Sequence, residues 1–205
     1  MYSRSPEAFC IYSKDGAITS PEALRGKTVA GPVGTILHQL LVAYLKTANM
    51  TIDDVNYVNM SIPDAKAALD GGSIDAALVA GATAYKSNEQ GYHLVTNGVG
   101  LTDANIAVAV KEDFYNKYKE EMNIFVDAQA DIIEYINKNH DEVMESVATE
   151  LDLDKAAVEE MFTQYDFNID VTEEDKKAFQ DIADFMYETK MIEEKFDTSA
   201  LFINE

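Results

Sequence analysis

Between residues 27 and 96, short apolar runs alternate with helix-patterned segments, and after Val110 the alternation stops. Strands are predicted at 27–30, 55–59, 74–79 and 93–96, with helical segments between them at about 34–48, 63–71 and 82–90. In the first of these helices Ile36, Leu37, Leu40, Leu41, Tyr44, Leu45 and Ala48 recur at the i, i+3, i+4 spacing of one buried face. Pro63 suits a first helical turn, and Gly71-Gly72 suits the end of that helix. Strands and helices at these intervals predict parallel βαβ units in a helix-covered sheet. Ligands of such sheets sit beyond the carboxyl ends of the strands, where the turns at 31–35, 59–62, 80–82 and 97–103 would converge.

Two further apolar strands, 8–13 and 104–110, bracket this unit. They are expected to lie side by side, antiparallel, in a sheet of their own. From there to the end the pattern is helical, at roughly 111–119, 121–139, 140–151, 154–165 and 172–189, with no strand expected. Phe125, Ala128, Ile132, Ile133, Tyr135 and Ile136 form an apolar face on the second of these helices. Thr172-Glu173-Glu174-Asp175 has the form of a capping box.

The turn Gly31-Pro32-Val33-Gly34-Thr35 delivers a strand into a helix. A helix N-terminus presents backbone N–H groups without intrahelical partners, which favour an anion or a polar headgroup. Thr35 adds a hydroxyl, and the glycines admit close approach to the backbone. His38, one turn further on, either reaches a cleft ligand or packs against a neighbour. Asn59 and Asn97 sit at predicted strand ends, where asparagine can bond a ligand or stabilise its own turn. The candidate ligand-binding residues are Val33, Gly34, Thr35, His38, Asn59, Ala80, Gly81, Asn97 and Gly98.

Composition excludes several classes. The 205 residues allow one large or two small domains, and no apolar run approaches a membrane span. The opening Met1-Tyr2-Ser3-Arg4-Ser5 lacks the apolar core of a signal peptide. The net charge of −21 argues against nucleic acid and anionic membrane as partners. That charge is uneven: residues 1–110 carry 7 Lys/Arg against 10 Asp/Glu, and residues 111–205 carry 9 against 27. One cysteine, Cys10, excludes an internal disulfide and a multi-cysteine zinc site, and its apolar neighbours mark a buried strand thiol. Three scattered histidines give no metal-ligand spacing, so neither a metal nor a cofactor is expected. Asp166-Phe167-Asn168-Ile169-Asp170 opens like a calcium loop, but Val171 and Lys177 stand where it needs glycine and glutamate. The turn at 31–35 lacks the lysine of a phosphate loop.

Leu24-Arg25-Gly26-Lys27-Thr28-Val29, the Gly34-Thr35 turn, Asp64-Ala65-Lys66-Ala67-Ala68-Leu69 and Gly72-Ser73-Ile74-Asp75-Ala76-Ala77 together resemble the solute-binding proteins of ABC importers. The branch they resemble takes nitrate, sulfonates and taurine and includes binders of thiamine-pyrimidine precursors. The resemblance implies a type 2 periplasmic-binding-protein fold: two α/β lobes, two crossing segments, and a ligand between the lobes. The expected fold class is thus α/β, a lobe with a mixed, mostly parallel sheet plus a C-terminal helical region of an incomplete first lobe. On this mapping residues 1–20 are a crossover and hinge, 21–100 the second lobe, and 101–205 the return strand and helical part of the first lobe.

The opening βαβαβ segment of the first lobe is then missing, which would leave apolar helix faces open to association between copies. Where relatives carry an aromatic and a proline, this chain has Ala80-Gly81-Ala82-Thr83-Ala84-Tyr85, implying a roomier, less polar wall. The implied function is capture of a small anionic or heteroaromatic solute for a membrane permease, outside the cytoplasm, in the periplasm or as an anchored lipoprotein, without catalysis. Two alternatives share the fold: an enzyme resembling the pyrimidine-precursor synthases, and a small-molecule sensing domain.

Overall fold

The computed structural model describes residues 2–202. Two sheets organise it. The larger contains β2 (Phe9–Ser13), β3 (Thr28–Gly31), β4 (Asn56–Asn59), β5 (Ala76–Ala80) and β6 (His93–Asn97), in the order β4-β3-β5-β2-β6. β3 is parallel to β4 and β5, whereas β2 runs antiparallel between β5 and β6. Four strands therefore share one direction, and β2 opposes them.

Alternation along the strands gives the sheet two buried faces. Ile11, Val29, Ala76 and Leu78 face α1 (Ile36–Lys46), whose Leu37, Leu40, Leu41 and Leu45 cover them. Cys10, Ala30, Ala77 and Val79 face the other way, against Ala65 and Leu69 of α2 (Ile62–Asp70) and Ala84 of α3 (Gly81–Glu89). The expected helices on both faces are present. α2 starts with Pro63 in its first turn and a Ser61 cap that accepts from the Asp64 N–H, and it ends at Gly71.

The small sheet has the order β7-β1-β8, from β1 (Tyr2–Arg4), β7 (Asn105–Ile106) and β8 (Asp166–Asn168), all antiparallel. It corrects three expectations. The partner of the 104–110 segment is β1, not 8–13, which belongs to the main sheet as β2. Only Asn105 and Ile106 of that segment pair, with Arg4 and Ser3. β8 falls where no strand was expected, made from the residues that opened like a calcium loop.

The remaining chain is helical: α4 (Glu112–Lys117), α5 (Lys119–Lys138), α6 (His140–Leu151), α7 (Lys155–Phe162) and α8 (Glu173–Glu188). Met144, Ala148 and Val158 form a small core between α6 and α7. α5 has no buried residue, and its Ile124 is 67% exposed. α8 opens with the expected capping box, Thr172 and Asp175 exchanging side-chain-to-backbone bonds. Asp175, 1% exposed, also binds Arg4 of β1 through both oxygens, at 2.8 and 2.9 Å. This ion pair fastens α8 to the small sheet. Among the described residues no helix is long and apolar enough to cross a membrane.

Candidate functional site

Because β3, β4, β5 and β6 share a direction, their carboxyl ends, Gly31, Asn59, Ala80 and Asn97, lie on one edge of the main sheet. Every candidate ligand-binding residue lies at or just beyond that edge. From β3 the chain passes through α1 to β4 on one side. From β5 it passes through α3 to β6 on the other. The connections diverge between β3 and β5, which makes that point the crevice of the edge.

Two helices open there, and neither is capped by a side chain. α1 starts after Thr35, whose hydroxyl donates instead to the Pro32 carbonyl at 2.9 Å. α3 starts after Ala80, which has no polar side chain. Their first N–H groups lack intrahelical carbonyls and carry the positive end of the helix dipole. α2, starting from β4 away from the crevice, has its Ser61 cap. No lysine or arginine occurs in the turns 31–35, 59–62, 80–82 or 97–103. Within these turns the positive partial charges are therefore those of backbone amides.

The turn at 31–35 is tied down from several directions. The Tyr57 hydroxyl donates to the Gly31 carbonyl at 3.0 Å. Asn59 Oδ1 accepts from the Val33 N–H at 3.1 Å, and His38 Nδ1 from the Gly34 N–H at 3.3 Å. Gly34 has φ +76°, a left-handed conformation that a side chain would strain. The His38 ring, 8% exposed, stacks on Tyr57 with centroids 5.0 Å apart and meets the edge of Phe185 from α8 at 6.3 Å. Burial holds its pKa below the ordinary value of 6.5. Burial likewise pushes the Tyr57 hydroxyl up, so both rings are neutral.

Asn97 and Gly98 have local tasks. Asn97 Oδ1 accepts from the Val99 N–H at 3.1 Å. Gly98 donates its N–H to the Pro6 carbonyl at 3.1 Å, and a Cβ there would stand 2.5 Å from that oxygen. Ala80 and Gly81 remain at the crevice, with the Tyr165 hydroxyl over Gly81. Tyr165 stacks on Phe167 at 5.7 Å and 11°. Its hydroxyl is held above its usual range by burial and by Cys10. The Cys10 thiol is itself pushed up to about 12 by burial, so it stays protonated.

The helical region therefore meets the edge twice, with Phe185 at α1 and Tyr165 at α3. Tyr57, Tyr165 and Phe185 escape a reading of the sequence, where aromatics in strands and helices read as core. Tyr57 alone had a signal, its place two residues before a strand-end asparagine.

Two other concavities lie off the edge. An open groove of about 760 Å³ between α3 and the α6–α7 turn is lined by Tyr85, Lys86, Glu145, Asp152 and their neighbours. It is the seam where Lys86 Nζ donates to the Leu151 carbonyl at 3.2 Å. A cavity of about 210 Å³ beside β1, β7 and α8 holds the buried Thr102 Oγ1 and Asn105 Oδ1 without hydrogen-bond partners. Among the described residues no cluster of three or more His, Cys, Asp or Glu could hold a metal ion.

The sequence profile described as NMT1/THI5 like matches residues 1–143. A protein of Brachyspira hyodysenteriae named as an ABC transporter periplasmic binding protein is 32% identical over 109 residues. That match takes in 51% of this chain, and the chain spans only 31% of the relative's length. The fold resembles the periplasmic aliphatic sulphonate binding protein SsuA of Escherichia coli, with TM-score 0.82, 18% identity, and 99% of this chain and 69% of that one covered. The alkanesulfonate-binding SsuA of Xanthomonas axonopodis pv. citri, bound to MOPS, superposes with TM-score 0.83 at 19% identity, covering 98% and 72%. The desulfurization enzyme DszB shares the fold too, at TM-score 0.72 and 16% identity, covering 100% and 76%.

Proposed function

This chain belongs to the NMT1/THI5-like family, and from that premise we propose that it acts in an ABC-importer solute-binding protein, holding a small anion such as a sulfonate at the β3–β5 crevice. The observation that carries this reading is the pair of helices, α1 and α3, that open on the crevice without side-chain caps. A sulfonate offers three acceptor oxygens and one charge. It suits a site whose donors are backbone N–H groups and whose side chains bring no cation. Neutral rings at Tyr57 and Tyr165 would flank the organic part of the solute. β1 and β7 would be the two crossings, the unit from β2 to β6 the second lobe, and the helices part of the first. The loaded protein would meet a membrane permease outside the cytoplasm.

The similarity to DszB favours catalysis only as far as the fold goes. A nucleophile would be needed at the edge, and the protonated, buried Cys10 thiol is a poor one.

The reading is tested by titrating the ¹⁵N-labelled protein with ethanesulfonate, nitrate and a hydroxymethylpyrimidine in turn. Ethanesulfonate is expected to shift the amides of Thr35, Ile36 and Gly81. If none of the three moves those amides, the proposed site is wrong.

A further inference from the structure

We propose that His38 does not touch the solute but is the positioning residue of the donor turn, taking up the Gly34 N–H so that Thr35 and Ile36 lead the exposed N–H groups of α1. The proposal rests on the solute reading for its meaning and on the geometry for its content.

Of the tethers on the turn, Tyr57 and Asn59 reach it from β4 and fix its first half, at Gly31 and Val33. The third, from His38, fixes Gly34, where the backbone takes its left-handed step into the helix. Without it that N–H would compete for the solute from a different direction, and the φ of Gly34 would have no restraint from the helix. The bond requires an unprotonated Nδ1, so the ring proton of the neutral histidine sits on Nε2. Stacking on Tyr57 and the edge contact from Phe185 hold the ring plane where Nδ1 meets the Gly34 N–H. The same ring thus touches the turn, the sheet and the helical region.

His38→Leu keeps the approximate volume and removes the acceptor. His38→Asn places Oδ1 near the position of Nδ1 and keeps it. In the wild-type protein, imidazole ¹⁵N shifts should show Nδ1 bare and hydrogen-bonded and Nε2 protonated. Amide exchange at Gly34 should quicken by roughly tenfold in His38→Leu and return most of the way in His38→Asn, the scale of one hydrogen bond. Ethanesulfonate affinity should fall by about the same factor in His38→Leu and recover in His38→Asn.

A protonated Nδ1 in the wild type, or Leu and Asn variants that behave alike at Gly34, would overturn the proposal. If His38→Leu does not fold, the wild-type tautomer and the Asn variant decide it. If the wild type ignores ethanesulfonate, the solute reading fails alone, because tautomer and exchange are read without solute.

Discussion

The α/β unit from β2 to β6 and the helical region from α4 to α8 handle their apolar residues in opposite ways. In the first, every helix has a sheet to lie on, and strand alternation supplies apolar side chains to both faces. In the second, three short strands cannot cover five helices. Beyond the Met144–Ala148–Val158 contact, much of the apolar surface stays open. α5 is the extreme case, with Ile124, Val126, Ile132 and Tyr135 in solvent. A clear amphipathic pattern makes a helix stable only when something packs on its apolar stripe. The sheet unit is therefore expected to hold most of the folding free energy, and the helical region to open first.

The contrast is tested most severely in the sheet unit. Leu40→Ala empties a fully buried position in the α1 core and should cost about 3 kcal/mol in a denaturant titration. A loss under about 1 kcal/mol would mean that this core does not carry the fold. Next comes the link between the regions. Asp175→Ala leaves Arg4 without its buried carboxylate and removes half of a capping box. It should cost about 2 kcal/mol, with faster hydrogen exchange in α8 and β1 and little change in β5. Uniform loss across both regions would show that they unfold as one.

A smaller effect belongs to His38. Its pKa is lowered in the folded state, so the unfolded chain takes up the proton first as pH falls. The stabilisation is whole above about pH 6.5. It declines below that and is gone once pH passes the lowered folded value. His38→Asn should flatten this part of the stability–pH curve, measured as the difference between the two proteins so that the many carboxylates cancel. A difference independent of pH would place the ring in solvent. Smallest of all, Phe125→Ser on α5 should change stability by less than about 0.5 kcal/mol. A larger loss would reveal a partner for that face.

Much of the sheet unit was legible in the sequence because its signals are local. The spacing of Leu37, Leu40, Leu41 and Leu45 and the apolar run ending at Val79 each declare an element without reference to the rest. β1 and β8 declare nothing: three residues each, partly polar, they are strands only through the distant segments they pair with. The alternating run after Ala104 promised a longer strand than the two residues that pair with β1. The candidate site divides similarly. The turn at 31–35 and the strand-end positions could be found, since glycine, proline and asparagine mark turns. Their individual roles could not. Asn59 and Asn97 bond nearby amides, Gly98 makes room for Pro6, and His38 faces Gly34 under a ring from α8. Each of those roles depends on a backbone position or on a ring far away in the chain.

The antiparallel place of β2 also sets an order of assembly. β2 leaves the ribosome ahead of every other strand of its sheet, yet Cys10 pairs with Val79 and Asn97, which are made much later. Until then an apolar strand with two open edges must wait, while β3, α1 and β4 can already dock on one another. Ser3 waits longer still, for Phe167. Such distant pairings slow folding and prolong exposure of sticky edges. Aggregation during synthesis should therefore track the time between β2 and β5. Slowing translation across residues 32–75 would lower the soluble yield more than slowing it after Asn97.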